Sequence, residues 1–148
     1  MKCTLGPTGI VQRKSEGDHA TPAGIWPLRC VLYRADRLRR PRTLLPVYPI
    51  GCHDGWCDDP SDRFYNRPVT LPYPASTETL RRDDHVYDVL VVLGHNDAPV
   101  RPGRGSCIFF HLMNTSMGPT EGCVAITLRD MKALLPVCGP RTSMVISR

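Results

Sequence analysis

The chain has 148 residues, enough for one compact domain with a real core and hardly enough for two. An apolar share of 41% excludes a disordered polypeptide, and no apolar run is long enough to cross a membrane. With 19 basic against 14 acidic residues the net charge is +5, which favours acidic partners without choosing among nucleic acid, anionic lipid and carboxylate-rich cell wall.

The opening segment, Met1 to Pro7, lacks the apolar stretch of a secretory signal, so either a leader is missing or export uses another route. Arginines concentrate at Arg29, Arg34, Arg37, Arg39, Arg40 and Arg42. A solvated face is the expectation for them, because no recognition helix or ribonucleoprotein-type aromatic motif accompanies the charge. The 7 cysteines are odd in number and irregularly spaced, so at least one stays free or pairs outside the chain. Cys52 and Cys57 could close a small loop. With His53 they also suggest zinc, but no second Cys/His pair stands at finger-like spacing, and the expectation is no metal and no cofactor.

In chain order, Thr21-Pro22-Ala23-Gly24 is a turn that launches a strand over 25–33. Recurrent prolines make 34–76 mostly irregular with short extended pieces, and a long ordered loop in a small domain is more often functional than idle. Residues 87–93 (YDVLVVL) predict a buried strand that ends in the polar turn Gly94-His95-Asn96-Asp97. Residues 107–113 (CIFFHLM) predict the next, with Ile108, Phe110 and Leu112 on one face and Phe109, His111 and Met113 on the other. A polar loop follows. Thr127 to Asp130 has capping-box spacing ahead of a helix through Met131, Leu134 and Leu135, closed by Pro136 and Gly139-Pro140. Residues 143–147 predict a last strand. The fold class is mainly β, a single domain over 1–148 with one or two short helices.

The chemistry concentrates between Gly105 and Asp130. A strand presents His111, and Thr120-Glu121-Gly122-Cys123 leads toward the helix. A nucleophilic thiol needs a base for its proton and backbone amides for the oxyanion it creates. Gly122 permits the tight turn that aims the Cys123 amide inward, and Val124-Ala125-Ile126 anchors that turn in the core. A cysteine in such a context is also commonly just a small buried residue, and a strand histidine a satisfied core group. These residues alone leave both readings open.

The stretch resembles the signature of the L,D-transpeptidase (YkuD-type) domain: a strand histidine, a short loop, then Ser/Thr-x-Gly-Cys and apolar residues. Lys14-Ser15-Glu16-Gly17-Asp18 with Ala20 to Gly24, Asp54 to Asp59, Tyr65-Asn66-Arg67 and Leu93 to Asp97 extend the resemblance from about Gly9 to Leu135. It implies an L,D-transpeptidase-type β-sandwich with the cysteine in a groove. It implies that Cys123 attacks the carbonyl after the third residue of a tetrapeptide stem, releases D-Ala, and passes the thioester to an amine of another stem or to water. His111 would move the proton, oriented by the Leu112 carbonyl. Many relatives carry histidine where this chain has Glu121 and a polar residue such as asparagine where it has Ala125, which bears on substrate contacts.

Candidate substrate contacts are Glu121; His95 and Asn96, for which a capped turn is the alternative; and Tyr65 and Arg67, the last as a fork on a stem carboxylate, for which a structural turn with an exposed arginine is the alternative. Trp56 either stacks on sugar or covers the core. The partners implied are peptidoglycan peptide stems in a bacterial periplasm or cell envelope, with no nucleic acid and a monomeric chain. The rivals are a carboxypeptidase using the same thioester and a basic binding module in which Cys123 is structural.

Overall fold

The computed structural model describes residues 1–114 and 118–148; the polar loop expected after His111 includes Thr115, Ser116 and Met117, which lie outside the described residues. The strands are β1 (Ile10–Val11), β2 (Thr21–Pro22), β3 (Gly24–Tyr33), β4 (Val47–Pro49), β5 (Asp54–Cys57) and β6 (Pro68–Thr70). They continue with β7 (Thr77–Thr79), β8 (Val89–Leu93), β9 (Phe109–Leu112), β10 (Val124–Ile126) and β11 (Ser143–Ile146), with one helix, α1 (Leu128–Leu134), before β11. The fold is mainly β, a sandwich.

Its main sheet runs β10-β9-β8-β3-β11, with β4 beside the C-terminal half of β3. Strand β8 reads VLVVL and is buried at every residue, because both faces of the sheet are covered. Val89, Val91 and Leu93 join the larger core with Phe110, Leu112, Val124 and Met131 of α1. Leu90 and Val92 turn to a second core with Tyr87, Phe109, Leu80 and Cys123. Alternation along one strand thus feeds two layers, and the cysteine belongs to the second.

A three-stranded sheet, β6-β5-β7, closes that second layer. Trp56 of β5 packs edge-on against Phe109 at 5.3 Å and donates its indole N–H to Asn66 Oδ1, so it covers the core. The proline-rich stretch therefore holds more order than its composition suggests. Its short strands satisfy their backbone by pairing across 12 to 24 residues, which local patterning does not display.

Two predicted strands begin two residues late. Asp88 is turned into side-chain bonds with Arg37 and His85, each 2.7 Å, so β8 starts at Val89. Cys107 has φ +54°, outside the extended region, so β9 starts at Phe109. The helix starts as predicted: Thr127 Oγ1 accepts the Asp130 N–H at 3.1 Å.

The arginine cluster is largely the solvated face expected of it, with Arg29, Arg39, Arg40 and Arg42 exposed, but Arg34 and Arg37 are drawn inward. Arg34 is buried and pairs with Asp36, Arg37 pairs with Asp88, and Arg29 pairs with Asp97.

Candidate active site

Cys123 stands where a glycine turn enters β10. Gly122 has φ +123°, and a Cβ there would lie 2.6 Å from the Ala20 carbonyl oxygen, so only glycine fits. Thr120 ties the turn, its hydroxyl donating to Cys123 O at 2.7 Å and accepting the Gly122 N–H at 3.3 Å. Behind the turn β10 pairs in parallel with β9, placing Ala125 opposite His111. On the other edge of β10, Thr4 and Ala125 exchange two backbone hydrogen bonds of 2.8 and 2.9 Å. The sulfur is thus carried by a strand fixed on both edges.

The Cys123 sulfur accepts the Phe109 N–H at 3.3 Å, and its thiol donates to Cys107 O at 3.1 Å. His111 projects from the middle of β9 with Nδ1 2.8 Å from Leu112 O. A carbonyl only accepts, so Nδ1 carries the proton and Nε2 is left with a lone pair. Tyr87 packs edge-on to the imidazole at 5.3 Å. Cys123 and His111 line one cavity of about 410 Å³.

Burial sets the electrostatics of the pair. It pushes the Cys123 thiol up to about 12, against the Phe109 amide, which favours thiolate, and with Glu78, which opposes it. Burial likewise takes His111 down to about 4, against the Leu112 carbonyl. At neutral pH the site therefore holds a thiol and a neutral imidazole. The two groups do not rest as an ion pair.

Of the expected substrate contacts, Glu121 is exposed and lines this cavity. The others stand apart from it. His95 is buried, with Nε2 3.0 Å from Arg104 O and Trp26 edge-on at 4.7 Å. Asn96 caps its own turn, donating to Arg101 O and Gly105 O and accepting the Arg101 N–H, each at 2.9 Å. Arg67 donates to Asp97 O at 3.0 Å and lines a separate cavity of about 190 Å³ with Arg29 and Trp56. Tyr65 is buried and donates to the Glu16 carboxylate, which also accepts the Ser106 hydroxyl at 2.7 Å and itself lines the Cys123 cavity.

Sequence reasoning missed several residues of the cavity: Glu16, Asp58, Glu78, Arg82, Tyr87 and Cys107. Arg82 donates to Glu78 and Asp84 and lies over the Tyr87 ring at 5.2 Å. These come from the early turn, from the small sheet and from the approach to β8, so no single stretch of sequence advertises them. The available signals were Glu16, inside the Lys14 to Asp18 turn, and Asp58, inside Asp54 to Asp59. Cys52 is exposed and Cys57 buried, and both are unbonded. Among the described residues no group of three or more His, Cys, Asp or Glu side chains is placed to hold a metal ion.

A parallel β-strand pair thus brings a cysteine and a carbonyl-oriented histidine to one cavity. The family model of the L,D-transpeptidase catalytic domain (YkuD) matches residues 1–146, and the chain belongs to that family. Comparison with curated proteins and with solved structures gives no match. The family is one of enzymes, with L,D-transpeptidase activity on peptidoglycan in the cell envelope. No helix among the described residues is long and apolar enough to cross a membrane.

Proposed function

We propose that this chain is a peptidoglycan L,D-transpeptidase, acting as one catalytic domain over 1–148, in which Cys123 is the nucleophile and His111 the proton carrier. The observation that carries this reading is the shared cavity, with His111 Nδ1 committed to Leu112 O and Nε2 left to accept a proton. Cys123 Sγ attacks the carbonyl after the third residue of a tetrapeptide stem as Nε2 takes the thiol proton. The oxyanion that forms is met by the Cys123 amide, presented by the turn at Gly122. Collapse breaks the amide bond, and the leaving nitrogen of D-Ala takes the proton from Nε2. An amine of another stem then attacks the thioester, Nε2 of His111 takes its proton, and the C–S bond breaks as Nε2 returns that proton to Cys123 Sγ.

The substrate side belongs to the cell envelope and not to nucleic acid, a reading supported by the pairing of Arg29, Arg34 and Arg37 with the chain's own carboxylates. The chain works as a monomer, without metal or cofactor. Incubation with muropeptides followed by mass analysis tests the reading. Joined stems with loss of D-Ala are expected. Tripeptide products without joining would make the chain a carboxypeptidase using the same thioester, and unchanged muropeptides would leave a non-catalytic binding module.

A further inference from the structure

Two glycines of positive φ, Gly105 at +93° and Gly122 at +123°, flank the segments that carry the site. Gly105 leads through Ser106 to Cys107, whose carbonyl accepts the Cys123 thiol, and Gly122 directly precedes the sulfur. The Lys14 side chain lies against both. A Cβ at Gly105 would meet Lys14 Cγ at 2.7 Å, and one at Gly122 would come within 3.5 Å of Lys14 Nζ.

Lys14 is buried, its side chain only 5% exposed. Its ammonium is held by the Asp18 carboxylate and by Ser15 O at 3.1 Å. Asp18 in turn accepts the Ser15 and Ala20 amides at 2.8 and 2.9 Å, and Ala20 O is the atom that forbids a side chain at Gly122. The turn 14–20 therefore fixes a buried ammonium against Gly122, the residue that precedes the nucleophile. Desolvating a lysine is costly, and an apolar chain of the same length would fill the slot without that cost. Facing Cys123 from the neighbouring elements are Glu78 of β7, Glu121, Tyr87, Cys107 and His111. Glu78 and Glu121 both oppose negative charge on the sulfur, and Lys14 favours it.

We propose that Lys14 is a positioning residue for acyl transfer: lodged between Gly105 and Gly122, its ammonium fixes the nucleophile turn and supplies the positive field in which the sulfur and the oxyanion take up charge. This rests on the reading of Cys123 as nucleophile. The test is the rate of iodoacetamide alkylation at Cys123 against pH, read by peptide mass mapping, which needs no turnover. Lys14→Met keeps the length and loses the charge; alkylation at a given pH should fall about tenfold, a displacement of one pH unit. Asp18→Asn removes the counter-charge and should displace the line the other way. A purely structural lysine would leave both lines where they are. A folded Lys14→Met variant with a superposable line overturns the proposal; should that variant not fold, an unchanged or slower line for Asp18→Asn does so. In muropeptide turnover, Lys14→Met should lower kcat and leave KM, since Lys14 does not line the cavity. Turnover that survives Cys123→Ala would instead strike the reading of the nucleophile, whatever the alkylation lines show.

Discussion

At neutral pH Cys123 holds its proton and His111 lacks one, so under the proposed mechanism the proton moves as the sulfur attacks. Activity should then stay level through the mildly acidic range where an exposed histidine would titrate, and fall only as pH approaches about 4. A kcat/KM profile checks this; an acid limb centred near the ordinary histidine value would contradict it. The same shift has a consequence for stability. A folded-state value of about 4 lies below that of the unfolded chain, so the unfolded chain binds the extra proton first as pH falls. Stability contributed by the neutral, buried ring is whole above the unfolded value and is lost between there and about pH 4, by about 3 kcal/mol. Denaturant midpoints of the wild type and His111→Gln across that range measure it; the variant should show a flatter dependence. At the cavity mouth, Glu121→Gln should slow transfer to an acceptor amine more than acylation, measured as separate half-reactions. Acylation collapsing first would remove Glu121 from the role of acceptor contact.

Among the elements, the glycine turn into β10 is the most constrained. Gly122→Ala would put a methyl 2.6 Å from Ala20 O at a φ that side chains rarely adopt, so it should cost about 1–3 kcal/mol of stability and misplace the sulfur. Denaturant unfolding together with Cys123 labelling reads both effects. The strands over 25–33, 87–93 and 107–113 were legible because long apolar or alternating runs state their own burial. The capping box at Thr127 was legible because its chemistry is local. His111 and Cys123 do line one cavity, since β9 and β10 are neighbours in both chain and sheet. The sheet β6-β5-β7 was not legible: its strands have three or four residues each and draw their order from each other. Cys107 misled for a related reason. Its apolar neighbours suggest a strand, but its backbone is turned at φ +54° to bring its carbonyl to the Cys123 thiol.

Across the whole molecule, the main sheet is buried on both faces at β8, β9 and β10, and the cavity opens where the small sheet, the early turn and β10 meet. His95, Asn96, Arg67 and Tyr65 looked like substrate contacts because they cluster at turns; in the fold they are held by Arg104, Gly105, Asp97 and Glu16 around that meeting point. The net positive charge is likewise no guide to the site, because Glu16, Asp58, Glu78 and Glu121 line its cavity. The central claim is that one cysteine of the 7 is the nucleophile. Incubation with a carbapenem-type β-lactam, whose strained carbonyl stands in for the scissile amide, followed by intact-mass and peptide mapping, tests it most directly. The account predicts one adduct, on Cys123, absent from a folded Cys123→Ala variant that has also lost muropeptide turnover. An adduct mainly on Cys3 or Cys138, or turnover that persists in Cys123→Ala, would contradict it.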